Sequence, residues 1–234
     1  MKILLAQINP IVGDLKGNSE YILKILREYK ADLYVFPELA LLGYIPQDLL
    51  LKRKFVDANI LTLKNILQYT MNKSMVIGFV DRIEERLFNS SALISNGSLI
   101  GVYHKQCLPN YDVFDEKRWF TPGKHIGVFK LLDKVIGINI CEDIWFKSPT
   151  ENQIMAGAEI IINISASPYS INKIKKIERI VMQRYSESKV PIVYVNQVGS
   201  QDGIVFYGHS MFVNNRKILA CKDFEEEIKI VEVE

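Results

Sequence analysis

Residues 135–143 read Val-Ile-Gly-Ile-Asn-Ile-Cys-Glu-Asp, and this stretch decides the prediction of the fold. Its apolar run predicts a buried β-strand, and the abrupt change to Cys141, Glu142 and Asp143 predicts that the strand ends there. In open α/β sheets, ligand sites lie outside the carboxyl ends of the strands. The stretch therefore predicts both a core strand and a functional edge of the sheet.

Two other apolar stretches end in the same way. Residues 31–36 predict a strand that stops at Pro37-Glu38, and residues 158–164 predict one that stops at residues 165–168, which read Ser-Ala-Ser-Pro. Each places polar groups at a strand end, as residues 141–143 do. The pattern predicts where these side chains lie along their strands and leaves open whether they meet in space.

Hairpins are predicted in the middle and at the end of the chain. Residues 88–103 contain Asn96-Gly97, a pair that readily adopts the positive φ angles of a tight turn, and Lys105 lies just past this hairpin. From residue 204 onward the pattern is again hairpin-like, with Asn214-Asn215 as the predicted turn. An acidic stretch, residues 223–227, is interpreted as a solvated loop.

Helical periodicity separates several of the strands. It predicts helices after the turn at residues 12–14, over residues 55–71 and over residues 171–181. Strands and helices alternate early, and hairpins intervene later, so we expect an α/β fold with mixed sheets and helices outside. We find no repeat, low-complexity segment or linker, and residues 1–234 are therefore predicted to form a single domain.

The composition favours a soluble enzyme with a small substrate. Hydrophobic residues make up 48% of the 234 residues and charged residues 24%, and the formal net charge is +2. This balance gives no reason to expect a nucleic acid or an anionic membrane as partner, and no apolar run is long enough to span a bilayer. Three widely spaced cysteines without a CxxC pair favour free thiols and a reducing cytoplasm.

The histidines give no support to a metal site. His104, His125 and His209 are scattered and form no HExxH motif, so we predict no metal and no other cofactor. A Cys-His protease needs only one histidine near its cysteine in space, and spacing does not exclude it, but the Glu and Lys motifs described below argue against it.

Amide hydrolysis by a thiol needs a nucleophile, a group that moves the proton and positive charge at the oxyanion. Cys141, Glu38 and Lys105 have these chemical properties, and each lies at a predicted strand end. Taken singly, each also has a structural interpretation: the cysteine as a small core residue, and the two charged residues as solvated surface groups.

A resemblance to a known family predicts that the three residues belong to one active site. The chain resembles the nitrilase, or carbon-nitrogen hydrolase, superfamily in its Glu, Lys and Cys motifs, which occur in the expected order: Phe36-Pro37-Glu38-Leu39-Ala40-Leu41-Leu42-Gly43-Tyr44, Lys105, and Gly137-Ile138-Asn139-Ile140-Cys141-Glu142-Asp143-Ile144-Trp145. It is similar in particular to the glutaminase domains of glutamine-dependent NAD synthetases. The stretches that carry this likeness are residues 44–50 (YIPQDLL), 108–118 (LPNYDVFDEKR), 141–145 (CEDIW) and 165–169 (SASPY).

The resemblance implies a four-layer α-β-β-α sandwich and a set of roles. It implies that Cys141 attacks the carboxamide of glutamine, that Glu38 acts as general base and acid, and that Lys105 and the backbone N–H of Glu142 stabilise the oxyanion. The ammonium and the carboxylate are expected to supply a thiolate at neutral pH. Glu116 is a weaker candidate for support of Lys105.

The family pattern also implies substrate-binding roles for Tyr111, Glu142, Ser167 and Lys173. Glu142 and Ser167 are expected at the amino-acid end of glutamine, where a buried zwitterion needs partners for both charges. Some relatives place Arg where this chain has Lys173, and a solvated cation on a helix is the alternative interpretation of that residue. Cys107 and Cys221 have no motif around them and are interpreted as structural.

The sequence leaves three functions open. The SGGxDS loop of the ATP-dependent synthetase domain does not occur in it, so the chain is interpreted as a separate glutaminase subunit, a domain cut from a longer protein, or a stand-alone amidase. The favoured function is a glutaminase supplying ammonia to a separate NAD synthetase, in a homo-oligomer or with that partner. The alternatives are an amidase for another small carboxamide or ω-amide, and an inactive scaffold or regulatory subunit.

Overall fold

The computed structural model describes residues 1–215 and 217–233. The helices are α1 (Leu15–Glu28), α2 (Arg53–Leu67), α3 (Glu116–Trp119), α4 (Lys147–Met155) and α5 (Lys173–Ser188). The strands are β1 (Lys2–Gln7), β2 (Leu33–Val35), β3 (Ser74–Ile83), β4 (Arg86–Ser95), β5 (Ser98–His104), β6 (Val128–Leu131), β7 (Lys134–Ile140), β8 (Ile160–Ser165), β9 (Ile192–Asn196), β10 (Val198–Gln201), β11 (Ile204–Tyr207), β12 (Met211–Asn214), β13 (Lys217–Ala220) and β14 (Glu227–Glu232). Short 3-10 turns cover Gln47–Leu51, Gln68–Thr70 and Cys141–Trp145.

The strands form two six-stranded sheets and a separate β10–β11 hairpin. The first sheet has the order β14-β1-β2-β3-β4-β5, and the second has the order β13-β12-β9-β8-β7-β6. In each sheet three central strands run parallel, β1 to β3 in the first and β7 to β9 in the second, and the outer strands join antiparallel. Both sheets are therefore mixed, as predicted.

Side-chain alternation builds the layers. In β1, Leu4 packs in the cluster shared with α1 and α2, whereas its neighbour Leu5 packs between the two sheets. In β8, Ile162 faces the same inter-sheet core, whereas Ile161 packs against α5. Since successive strand residues face opposite sides, each central strand contributes to two apolar cores. The result is the predicted α-β-β-α sandwich.

Local signals in the sequence set several element ends. The Asp14 carboxylate accepts a hydrogen bond from the Gly17 N–H at 2.8 Å and caps α1. Asn96-Gly97 forms the turn between β4 and β5, with φ angles of 48° and 77°. The Asn96-Gly97 turn and a helix after residues 12–14 were predicted correctly from the sequence, and the Asp14 cap is seen in the structure.

The end of the chain differs from the sequence prediction. Asn214 is the last residue of β12 and pairs with Lys217, so this residue, predicted in the turn, belongs to the strand. Glu227, predicted in a solvated loop, begins β14, which pairs with β1 along its whole length. The predicted domain end at Glu234 lies outside the described residues. No described helix combines the length and the apolar character needed to cross a bilayer.

Candidate active site

The three residues singled out in the sequence come together at one end of the sandwich. Glu38 lies three residues past β2, Lys105 directly follows β5, and Cys141 directly follows β7. Lys105 Nζ donates to Glu38 Oε1 at 2.7 Å, and the charges of both side chains act on Cys141. The exposed fractions of the three residues are 0%, 1% and 4%. The first sheet supplies the two charges, and the second sheet supplies the sulfur.

Both oxygens of the Glu38 carboxylate are held by neutral donors. Asn89 Nδ2 donates to Oε1 at 2.7 Å, and the Ala166 N–H donates to Oε2 at 2.8 Å. The backbone of residues 37–39 passes so close to β3 that a Cβ on Gly78 would lie 2.1 Å from the Leu39 nitrogen. Only a glycine fits there, and this close passage fixes the carboxylate over the sheet.

Lys105 bridges two buried carboxylates. Its Nζ also donates to Glu116 Oε1 at 2.8 Å, and the Tyr44 hydroxyl donates to the same oxygen at 2.8 Å. Burial disfavours the ammonium form, but Glu116 and Glu38 outweigh it and hold the pKa of Lys105 well above its usual value. The contact between Glu116 and Lys105 that the sequence suggested is therefore present in the structure.

Glu116 has an unusual titration for a carboxylate. Its pKa is raised to about 7, by burial first and also by the Glu38 charge, although Lys105 acts in the opposite direction. Among the described residues, its Oε2 has no hydrogen-bond partner. That oxygen is the natural place for a proton, since one ammonium cannot neutralise two buried carboxylates.

Cys141 occupies a rare backbone conformation at the start of the 3-10 turn. Its φ angle is 44°, a conformation that non-glycine residues seldom adopt and that recurs at active sites as well as in turns. Burial first, and then the Glu38 charge, raise the pKa of the Cys141 thiol well above its usual range, although Lys105 opposes them. These influences favour the thiol form of Cys141, whereas the sequence led us to expect a thiolate. The largest of them is burial, which disfavours any charge on the sulfur.

A buried amide network lies beneath the cysteine, and the sequence reading missed it. Asn163 Nδ2 donates to Asn139 Oδ1 at 2.6 Å and to the Cys141 carbonyl at 3.5 Å, while Ser165 Oγ donates to Asn163 Oδ1 at 2.7 Å. Asn139 and Asn163 are cross-strand partners in β7 and β8. A single asparagine inside each of two apolar strands was the signal that could have revealed them.

The predicted substrate-binding residues divide into three locations. The Tyr111 hydroxyl donates to both Glu142 carboxylate oxygens at 2.9 Å, which joins these two residues beside Cys141. The Ser167 N–H donates to Asn196 Oδ1 at 2.8 Å, at the end of the second sheet. Lys173 Nζ lies 4.3 Å from the centre of the Trp145 ring, at the far end of the turn that begins with Cys141.

The remaining cysteines and histidines lie in other surroundings. Burial is the largest cause that raises the pKa of Cys107 and of Cys221 to about 12. His104 contacts Asp81, and His209 contacts Asp223. Within residues 1–215 and 217–233, no group of three or more His, Cys, Asp or Glu side chains could hold a metal ion.

The four-layer sandwich, with Glu38, Lys105 and Cys141 gathered at one end, defines the fold class as nitrilase-like. The chain belongs to the carbon-nitrogen hydrolase family, whose sequence profile, described as "Carbon-nitrogen hydrolase", matches residues 2–234. Its enzyme class is therefore that of hydrolases acting on carbon-nitrogen bonds.

Similar proteins are known in sequence and in structure. The chain is 38% identical to the glutamine-dependent NAD(+) synthetase of Aquifex aeolicus over 99% of its own length and 39% identical to that of Thermotoga maritima over 100%. It spans 42% of each relative's length.

Two kinds of solved structure share the fold. The glutamine-dependent NAD+ synthetase of Acinetobacter baumannii superposes with a TM-score of 0.93 at 34% identity, over 98% of this chain and 44% of that one. An amidase from Nesterenkonia sp. AN1 superposes with a TM-score of 0.89 at 22% identity, over 100% of this chain and 93% of that one. This likeness shows that the two chains share a fold.

Proposed function

We propose that the chain is a glutamine amidohydrolase that releases ammonia through a thioester on Cys141. The observation that carries the proposal is the buried ion pair between Lys105 Nζ and Glu38 Oε1 at 2.7 Å, whose two charges both act on the Cys141 sulfur. Buried ion pairs of this kind contribute little net stability, so a chemical role explains the arrangement better. Relatives named glutamine-dependent NAD(+) synthetase support glutamine as the nitrogen donor.

The first half of the reaction forms the thioester. The Cys141 sulfur attacks the carboxamide carbon while its proton passes to Glu38, because burial and the Glu38 charge disfavour a free thiolate. An ammonium has three donors, and Lys105 uses two of them on Glu38 and Glu116. The third is available to the oxyanion, together with the Glu142 N–H, which lies in the first turn of residues 141–145 where intrahelical acceptors are missing.

The second half releases the products. Glu38 returns its proton to the leaving nitrogen, the C–N bond breaks, and ammonia departs. Water then gives a proton to Glu38 and attacks the thioester, the C–S bond breaks, and the proton restores the Cys141 thiol as glutamate leaves. Asn89 and Ala166 keep the Glu38 carboxylate in one place through both halves.

Glutamine recognition is assigned to residues around the 3-10 turn Cys141–Trp145. Glu142 is only 8% exposed and accepts two contacts from Tyr111, which leaves a fixed anion for the substrate ammonium. Lys173, held over the Trp145 ring, is the candidate for the substrate carboxylate, with Ser167 as a further polar partner. A buried zwitterion needs both kinds of partner.

The nitrogen acceptor is proposed from the relatives. We expect residues 1–234 to act as one domain that delivers ammonia to an ATP-dependent NAD synthetase, as a separate subunit or as part of the same protein, in a homo-oligomer or in a complex with that partner. The three free cysteines are consistent with the cytoplasm as the site of action.

Glutamate release from glutamine tests this function directly. We expect steady turnover by the wild-type chain, none by Cys141→Ala, and wild-type turnover by Cys221→Ala, since Cys221 lies outside the site. Absence of turnover in the presence of an NAD synthetase partner would contradict the proposal.

A substrate panel separates the alternative functions. Rapid hydrolysis of another small carboxamide or ω-amide, with glutamine rejected, would replace the glutaminase by an amidase of the same fold. A partner synthetase whose glutamine-dependent activity is the same with Cys141→Ala would instead identify a scaffold subunit.

A further inference from the structure

Asp143 is a fully buried carboxylate that the reaction described above does not use. Each of its oxygens accepts two hydrogen bonds. Oδ1 accepts from the Gln106 N–H at 3.2 Å and the Cys107 N–H at 2.8 Å, and Oδ2 accepts from the Tyr103 hydroxyl at 2.8 Å and the Ile140 N–H at 3.0 Å. An ionised carboxylate has room for four donors, and here all four places are taken.

The four donors come from both halves of the candidate site. Tyr103 belongs to β5 in the first sheet, and the Gln106-Cys107 segment is the chain that leaves Lys105. Ile140 ends β7 in the second sheet and directly precedes Cys141. One side chain therefore ties together the two segments that carry the ammonium and the sulfur.

We propose that Asp143 is a positioning residue, which sets the separation of Cys141 and Lys105 by clamping the chain on either side of them. This inference rests on the proposed hydrolytic function. It follows from the connectivity, because the other contacts of Lys105, to Glu38 and Glu116, lie within the first sheet and its loops and do not reach the chain around Cys141.

Asp143 also acts on the second thiol near the site. The pKa of Cys107 is raised to about 12, by burial first and then by the charge of Asp143. Cys107 is only half-buried, so without this carboxylate it would be the more accessible competitor for thiol reagents. Loss of the Asp143 charge is therefore expected to lower the pKa of Cys107 and to raise its reactivity towards thiol reagents.

The test is Asp143→Asn, which keeps the shape and removes one acceptor. Each oxygen accepts at least one backbone N–H, so the amide NH₂ must face an N–H in either orientation and one side of the clamp opens. A displacement of about 1 Å in such a site lowers kcat by about 100-fold. We expect kcat to fall by about 10- to 100-fold with KM within about threefold, and iodoacetamide labelling to shift from Cys141 towards Cys107.

Two tyrosine variants provide a matched comparison. Tyr103→Phe removes one donor to Asp143, whereas Tyr34→Phe removes a hydroxyl that is part-buried and hydrogen-bonded near the opposite ends of the strands, where it donates to the Tyr29 carbonyl at 2.6 Å and accepts from the Ala31 N–H at 3.3 Å. We expect Tyr103→Phe to lower kcat by about 3- to 10-fold and Tyr34→Phe to leave it unchanged at a similar melting temperature. If Asp143→Asn does not fold, equal kcat in these two variants would overturn the proposal.

The readouts separate this proposal from the proposed function. If the wild-type chain does not hydrolyse glutamine, the function fails, and the ratio of Cys141 to Cys107 labelling still reports on the clamp. A folded Asp143→Asn variant with the wild-type kcat and the wild-type labelling ratio would show that Asp143 does not position the site.

Discussion

The Glu116→Gln substitution tests the charge balance of the site through the pH dependence of stability. Glutamine has nearly the shape of glutamate, and its amide oxygen can accept the hydrogen bonds from Lys105 and Tyr44 that Glu116 Oε1 accepts now. What changes is the second buried negative charge. The variant retains the 1:1 ion pair of Lys105 with Glu38.

The magnitude follows from the titration of Glu116. Its pKa is raised from 4.5 to about 7 in the folded protein, so between these values the folded state holds a proton that the unfolded chain has released. The folded state binds more protons, so stability falls as pH rises. This contribution is fully present below pH 4.5 and is lost as pH rises through about 7. Its size is about 3 kcal/mol, from 1.36 kcal/mol for each unit of pKa difference.

The assay is urea unfolding of both proteins from about pH 4.5 to about pH 8.5. Other titrating groups contribute similarly to the two proteins, so the free energy of unfolding of the wild type minus that of Glu116→Gln isolates the Glu116 carboxyl. We expect this difference to fall by about 3 kcal/mol between pH 4.5 and 7 and then to level off. A difference that stays flat or rises with pH would show that Glu116 is ionised in the folded state throughout, and would refute the reasoning.

Four further predictions concern catalysis and binding. Glu38→Gln removes the proton acceptor and should lower glutamine turnover by about 100-fold or more, measured as glutamate release, while unfolding should remain cooperative. Tyr111→Phe frees Glu142 from its hydroxyl donor and should raise KM for glutamine by about tenfold at most, with a smaller change in kcat. Lys173→Met should raise KM for glutamine more than KM for an amide that lacks the α-carboxylate, and equal changes would exclude a carboxylate contact. Because the pKa of the Cys141 thiol is raised, its alkylation rate should keep rising through the alkaline range, and a plateau near neutral pH would contradict the resting thiol.

Much of the fold could be predicted because alternation and turn chemistry act locally. The apolar run that ends at Cys141 predicted β7, and Asn96-Gly97 predicted the β4–β5 turn. β14 could not be predicted in the same way. It pairs with β1 more than 200 residues away in sequence, and a short edge strand with charged residues does not differ locally from a loop.

The candidate site could likewise be predicted only in part from the sequence. Glu38, Lys105 and Cys141 could be placed at strand ends, and the family resemblance supplied their grouping, which periodicity could not. The protonation of the site could not be predicted, because it depends on how many buried charges share one ammonium. The sequence suggested Glu116 beside Lys105, but only the structure shows that both Glu38 and Glu116 contact the one ammonium and that the second Glu116 oxygen has no partner among the described residues.

The central claim is that the Cys141 sulfur attacks a bound glutamine carboxamide. Its most direct test is incubation with a glutamine-mimicking diazoketone, followed by mass spectrometry of the peptides that contain Cys107, Cys141 and Cys221. We predict one adduct per chain, on Cys141, with protection by excess glutamine. An adduct on Cys107, or no adduct under conditions in which the chain is folded, would contradict the assignment.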